Sequence, residues 1–264
     1  LERIVRVPRR PAPWTFLGSA VHVAVAEWEL SRRSIDPVKS YYDEYDRLVE
    51  EGWKNFPDWR DWIVPPATQS VSKTIARYRK RGGEMDVPTF IQRCEEEEDW
   101  WQIAEIDGEL AVEVDVSLPA SSSPGKTPLR EMGAGIILPP FEHPEVVGII
   151  DQIRRYEEED GSFTYRLVDI KSGNVTDYAN DNRQLKLYMV MAPVRCTKAR
   201  YEFTKTGRQS KWLEWNESFE VSVKEDYSIL DRAVEEGIYL PRPGDHCKVC
   251  SSKPWCREVQ DEST

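Results

Sequence analysis

Long apolar runs are missing from this sequence. Nothing among its 264 residues approaches the roughly 18 consecutive apolar positions that a membrane-spanning helix needs, so no membrane partner is expected. An apolar segment is also missing behind Arg3, Arg6, Arg9 and Arg10, which argues against a signal peptide. The chain opens on Leu1 instead of Met and reads there as the interior of a longer protein. Cysteine is scarce: five residues, an odd number, with three crowded near the carboxyl terminus. That pattern argues against a disulfide framework and for a reducing cytoplasm. Positive charge is in deficit, 36 Lys and Arg against 47 Asp and Glu, for a net charge of −11. A surface that coats nucleic acid with uniform basic charge is thereby excluded, although a narrow basic channel inside an acidic shell is not. Acidic runs such as Glu95–Asp99 and Glu157–Asp160 carry much of the excess and read as solvated faces or turns.

What is present suffices for a core, since 39% of the residues are hydrophobic. Residues Leu17–Leu30 place Val21, Val25 and Trp28 three or four apart, the spacing of one helix face. The segment Tyr41–Trp101 mixes aromatics with charge, and its helical patterns are expected to break at Pro57, Pro65–Pro66 and Pro88. In Leu110–Leu118, Val112, Val114 and Val116 alternate with Glu113 and Asp115, which predicts a strand. Ser121–Pro128 reads as a loop. Two further strands, Val146–Tyr156 and Phe163–Lys171, flank a turn near Asp160–Gly161. A helix from about Asp181 to Met191 stops before Pro193, and β-rich runs follow at Ala199–Thr204 and Ser218–Val223. A last helix is expected from about Lys224 to Gly237, ahead of a Cys-rich tail. This order predicts an α/β fold, one domain over residues 1–264 with a central sheet flanked by helices. Residues 31–104 would be a helical insertion and residues 240–258 the tail.

Two acids interrupt apolar strands, where an unpaired carboxylate is costly. They are Asp151, in Gly148-Ile149-Ile150-Asp151, and Asp169, in Val168-Asp169-Ile170-Lys171-Ser172-Gly173. A divalent cation removes the cost, because hard Mg²⁺ takes carboxylate oxygens. Lys171, two residues after Asp169, shares its strand face, where an ammonium can orient water or stabilise charge on a phosphate. A two-residue turn would pair Asp151 with Ile170 and separate the acids, whereas a three-residue loop, Glu159-Asp160-Gly161, pairs Asp151 with Asp169. That loop also puts Gly161 at the left-handed position of a bulged turn. The bland alternative is a hairpin whose acids face solvent. His22 interrupts an otherwise apolar helix in Gly18-Ser19-Ala20-Val21-His22, and Gln184 and Tyr188 stand four apart on one helix face.

In this order the four patterns resemble the RecB-like branch of the PD-(D/E)XK nucleases, whose motifs are G-x-x-x-H, G-x-x-D, (D/E)-x-K-(T/S)-G and Q-x-x-x-Y. Here they read Gly18…His22, Gly148…Asp151, Asp169-Ile170-Lys171-Ser172-Gly173 and Gln184…Tyr188. The resemblance implies a restriction-endonuclease-like core and Mg²⁺ or Mn²⁺ held by His22, Asp151, Asp169 and the Ile170 carbonyl. It also implies Lys171 as the catalytic lysine, with Gln184 and Tyr188 positioning the scissile strand. Glu113 reads as an acid behind these ligands or, more simply, as a solvated strand residue. The implied activity is exonucleolytic cleavage of DNA, single-stranded or with free ends, in recombination, repair or phage DNA metabolism. A structure-specific endonuclease and a non-catalytic nucleic-acid-binding subunit are the alternatives. The setting implied is the cytoplasm of a bacterial, archaeal or phage-infected cell, with a recombination or CRISPR-adaptation protein as a candidate partner. The aromatic segment would form either an arch that stacks on bases, with Lys73, Arg77, Arg79, Lys80 and Arg81 along the backbone, or a helical cap with an aromatic core.

The tail holds Cys247, Cys250 and Cys256, three thiolates able to converge on one metal centre. One reading is a zinc knuckle completed by His246 or a remote cysteine. The other is a 4Fe–4S cluster held by four cysteines. The resemblance favours the cluster, because some RecB-like nucleases, the AddB type and the CRISPR-associated family among them, hold one with three C-terminal cysteines and one upstream of the histidine motif. No cysteine precedes His22 here, which leaves Cys94, Cys196 or a residue upstream of Leu1 as the fourth ligand.

Overall fold

The computed structural model describes residues 10–64, 70–97, 100–118, 130–132, 136–138, 146–173 and 182–235. The Ser121–Pro128 loop and the cysteine tail lie outside them. Helix α1 (Pro13–Leu30) starts on a proline, whose missing N–H costs nothing in a first turn. Its residues Leu17, Val21, Ala24, Val25 and Trp28 recur at helical spacing and are buried. Asp36 accepts a hydrogen bond from the Val38 amide at 2.9 Å and caps α2 (Pro37–Asn55). Ser70 caps α3 (Val71–Arg81) through the Lys73 amide. A π-helical turn, Gly82–Asp86, then leads without a break into α4 (Val87–Glu96). Pro88, expected to break a helix, instead sits in the first turn of α4. The Val87 amide reaches back five residues to the Gly82 carbonyl, so Pro88 enters where the helix is already widened out of the α-helical frame.

These helices share one core. Tyr41, Tyr45, Val87, Phe90, Ile91 and Cys94 pack with α1 and with Val168 and Ile170 of the sheet. Both tyrosine hydroxyls find carbonyls, Tyr41 on Tyr78 at 2.9 Å and Tyr45 on Ile75 at 3.1 Å, so burial leaves no polar atom stranded there. The aromatic segment therefore packs its helices around an aromatic core, although Trp59 and Trp100 remain exposed. Its helical part ends at Glu96, whereas Gln102–Ile103, expected within the insertion, forms strand β1 of the main sheet.

A hairpin of β2 (Glu105–Ile106) and β3 (Glu109–Leu110) follows, turning through Asp107 and Gly108 with φ of 52° and 86°. Next come β4 (Val112–Leu118), a small pair β5 (Arg130–Met132) and β6 (Ile136–Leu138), then β7 (Val146–Glu157) and β8 (Phe163–Lys171). Helix α5 (Arg183–Met191) crosses to β9 (Cys196–Phe203), followed by β10 (Leu213–Glu214) and α6 (Ser218–Glu235). In the main sheet β4 and β1 lie along one edge of β7, with β8, β9 and β10 following on the other side. Among the described residues of this sheet only the β8–β9 pairing is parallel, so the sheet is mixed and α5 is its crossover. Leu185 and Met189 of α5 and Phe219 of α6 form a second core with Ile150, Ile153, Leu167 and Tyr201. The molecule is thus a central mixed sheet flanked by helices, the restriction-endonuclease-like arrangement.

One expected strand is a helix. Phe219, Val221 and Val223 alternate as in a strand, yet Ser218–Val223 is the start of α6. Asn216 caps it through the Ser218 amide at 2.9 Å, and Phe219 and Val223, four apart, bury while Val221 stays exposed. The β7–β8 turn follows the three-residue expectation. The Glu158 amide donates to the Ser162 carbonyl at 2.8 Å, and Gly161 has φ of 79°, a value disfavoured for residues with a Cβ.

Candidate active site

Three strands bring acids into one row. The pairs Val112↔Gln152 and Val114↔Ile150 leave Glu113 opposite Asp151, and the β7–β8 register carries Asp151 opposite Asp169. The regular β7–β8 ladder ends at Gln152↔Val168, one pair short of the two acids. There Asp151 Oδ2 accepts the Ile170 amide proton at 2.5 Å, so a carboxylate takes the place of a strand carbonyl. Ile150 and Ile153, three apart, both reach the α5-side core, so the alternation of β7 is interrupted at this point. Glu113 has φ of 51°, uncommon for a residue with a side chain and typical of sites where local strain serves function.

Helix α1 contributes His22. Its Nδ1 lies 3.2 Å from Asp151 Oδ1 and 3.7 Å from Glu113 Oε1. One ligand atom from each of His22, Glu113 and Asp151 falls within 4.8 Å of the others. Burial works against protonation of His22, but hydrogen bonds and negative charge from Asp151 and Glu113 outweigh it and push its pKa up to about 10. Burial first, and then the Asp151 charge, hold the Asp169 carboxyl above the usual carboxylate range, with Lys171 partly offsetting them. The site therefore gathers more negative charge than it can carry alone, and protons fill the deficit. This donor set of carboxylate oxygens with one imidazole fits Mg²⁺ or Mn²⁺, and the charge imbalance fits a divalent cation.

A second chain of contacts runs from the other side. Lys171 Nζ lies 2.5 Å from Asp169 Oδ2 and donates to Gln184 Oε1 at 3.1 Å. Gln184 Nε2 in turn donates to the Tyr188 hydroxyl at 3.1 Å. The four-residue spacing of Gln184 and Tyr188 on α5 thus delivers both to the lysine. The glycines of the motifs have steric reasons. A Cβ at Gly148 would lie 2.7 Å from the Tyr188 ring, and one at Gly18 would lie 3.1 Å from Ser172 Oγ. Each glycine lets one motif close against another.

His22, Asp151, Asp169, Lys171, Gln184 and Tyr188, with the Ile170 backbone, lie together here, as the resemblance implies for the divalent-metal site. Glu113, which the sequence pattern favours as solvated, stands with His22 and Asp151. Nothing in the Val112–Val116 alternation separates it from Asp115; the signal lies in its register opposite Asp151. The basic residues divide. Lys73, Arg77 and Lys80 share the exposed side of α3, with Lys80 Nζ 3.6 Å from Glu84. Arg79 forms a bidentate pair with Asp46 at 2.7 Å, and Arg81 turns inward. Cys94 and Cys196 are buried in the two separate cores, where burial pushes each thiol up to about 12. Cys247, Cys250 and Cys256 lie outside the described residues.

The chain matches the family model of the PD-(D/E)XK nuclease superfamily over residues 1–257 and belongs to that superfamily. Its substrate is accordingly a nucleic acid, and its chemistry is the divalent-metal-dependent hydrolysis of a phosphodiester. No curated protein matches it. Among the described residues, no helix is long and apolar enough to cross a membrane.

Proposed function

We propose that the protein is a Mg²⁺- or Mn²⁺-dependent deoxyribonuclease that acts as an exonuclease on single strands or duplex ends. The observation that carries this reading is the convergence of His22, Glu113 and Asp151 with the Asp169–Lys171–Gln184–Tyr188 chain at the end of the β7–β8 ladder. His22, Glu113, Asp151 and Asp169, with the Ile170 carbonyl, would hold a cation that polarises the scissile phosphate and lowers the pKa of the attacking water. Lys171 holds positive charge beside that centre, steered by Asp169 and Gln184, and can orient the water or stabilise the phosphate in the transition state. Tyr188, tied to Gln184, offers its ring and hydroxyl to the scissile strand.

The preference for ends rests on the RecB-like motifs, whose G-x-x-x-H and Q-x-x-x-Y members contribute His22, Gln184 and Tyr188 to this site. By the same resemblance, Cys247, Cys250 and Cys256 would hold a 4Fe–4S cluster, with zinc as the alternative. Residues 31–96 form the cap of a single nuclease domain in this reading, with recombination or CRISPR adaptation as candidate settings. Purified protein with Mn²⁺ should degrade end-labelled single-stranded DNA and spare circular single strands. Equal cleavage of circles would instead make it an endonuclease.

A further inference from the structure

We propose that Arg81 is a positioning residue. Braced by Asp86 across the π turn, it holds the Ser172 carbonyl and so fixes the end of the strand that carries Lys171. The inference rests on the nuclease reading of the Lys171 site. Arg81 closes α3 and Asp86 closes the π turn. In an α-helix, at about 100° per residue, positions five apart face different sides. Bonding across five residues brings them into line, and the Val87 amide makes that bond to the Gly82 carbonyl. Asp86 is thereby set against Arg81 in a bidentate pair, Nε to Oδ1 at 3.1 Å and Nη2 to Oδ2 at 2.9 Å.

Packing holds the turn in this form. A Cβ at Gly82 would lie 2.0 Å from the Tyr41 ring and one at Gly83 2.2 Å from the Tyr42 ring, so only glycines admit the close approach. Asp86 is fully buried, and Arg81 mostly so. Asp86 holds the Nε–Nη2 edge of the guanidinium, and the second N–H of Nη2 remains to donate. It donates to the Ser172 carbonyl at 2.6 Å, a hydrogen bond spanning 91 residues of sequence.

The receiving end needs such a bond. Pairing of β8 with β9 stops at Lys171↔Phe203, so Ser172 has no place in the ladder. The Lys171 carbonyl accepts from the Thr204 amide at 3.0 Å, and Ser172 Oγ lies against Gly18. Arg81 completes the fixation one residue beyond the lysine. If the chain frays from Lys171 onward, Lys171 Nζ loses its register with Asp169 and Gln184 while the proposed ligands His22, Glu113, Asp151, Asp169 and the Ile170 carbonyl stay in place. Arg81 therefore acts on the chemical step and not on DNA or metal affinity.

Removing Arg81 alone would strand the buried Asp86 charge, so the test pairs Arg81→Met with Asp86→Asn and runs Arg81→Lys beside it. The double variant should lose about tenfold to a hundredfold in kcat, the scale of an ångström misplacement, with KM and Mn²⁺ affinity unchanged. Amide hydrogen exchange should quicken at Lys171–Gly173 and not across the fold. Arg81→Lys, which keeps the charge but loses the fork, should fail to restore kcat. An intact kcat with a raised KM that Arg81→Lys rescues would make Arg81 a phosphate contact and overturn the proposal. Unchanged exchange at Lys171–Gly173, or exchange that rises everywhere, would overturn it too. Absence of cleavage by the wild-type protein would defeat the nuclease reading, and the exchange experiment would then decide the brace by itself. If the double variant does not fold, Arg81→Lys carries the same comparisons.

Discussion

Glu113 and His22 show what single residues contribute beyond their types. An alternating Val-Glu-Val-Asp-Val strand reads as one buried and one wet side, with Glu113 on the wet one. Its register opposite Asp151 and its left-handed φ of 51° put it beside the imidazole instead. Sequence spacing carries no information about which of two acids on a strand meets a helix about 90 residues away. Asp151 and Asp169 stood out because each interrupts an apolar strand, where a charge needs a reason, and Lys171 because it stands two residues from Asp169 on the same strand face. Glu113→Gln should weaken Mn²⁺ binding by about tenfold or more, as titration calorimetry can measure, since the cation attracts a neutral amide oxygen far less than a carboxylate. Proton linkage has a definite sign. Without metal, His22 keeps its proton up to a pH of about 10 and Asp169 holds its own above the usual carboxylate range. Metal binding must expel these protons, so apparent affinity should rise with pH through the neutral range. Calorimetry near pH 7.5 in buffers of different ionisation enthalpy should register proton release, and its absence would remove His22 from the ligands.

Helices and strands meet at places where the motifs touch one another. Gly148 on β7 admits the Tyr188 ring of α5, so Gly148→Ala should push the tyrosine off Gln184. The cost should be about 1–3 kcal/mol in urea unfolding, with a loss of cleavage rate out of proportion to it. Full activity in that variant would show that α5 need not approach so closely. Register and turn were readable from Gly161, because the parity of a hairpin loop decides which acids face each other. The buried ionic cluster around Glu202 was not. Arg154 and Glu202 are both fully buried; Arg154, Arg93 and Arg200 all pair with Glu202, and Arg154 also lies 3.6 Å above the Trp101 ring. Lys198, Arg200 and Glu202 alternating along β9 look like a solvated face until one carboxylate is seen to serve three guanidiniums. Burial alone would raise the Glu202 pKa, but Arg154, Arg93 and Arg200 overcome this and hold it at about 2. Because the folded value lies below the ordinary one of 4.5, the contribution is full above pH 4.5 and is lost as pH falls toward 2. Glu202→Gln should cost about 3–5 kcal/mol at pH 7 and flatten the acid limb of the stability curve, both readable by denaturant titration. An unchanged midpoint would mean that the three arginines are satisfied elsewhere.

For the whole molecule, a net charge of −11 must be reconciled with a polyanionic substrate. Long-range attraction then has to come from local positive surface, and the exposed side of α3 offers Lys73, Arg77 and Lys80. Their joint replacement by alanine should raise KM with kcat preserved. It should also reduce the salt dependence of single-strand binding by up to about 0.7 for each phosphate no longer neutralised. No change in the salt slope would place the DNA track elsewhere. The layered fold was legible from the order of its elements, although Ser218–Val223 belongs to a helix and Gln102–Ile103 to the sheet. The central claim is that the row of acids with Lys171 forms a metal-dependent nuclease centre. Mn²⁺-dependent cleavage of labelled single-stranded DNA by wild-type protein and by Lys171→Met, compared at equal thermal stability, tests it most directly. The account predicts cleavage by the wild type and a loss of about a hundredfold or more in the variant, whereas a variant near the wild-type rate would contradict it.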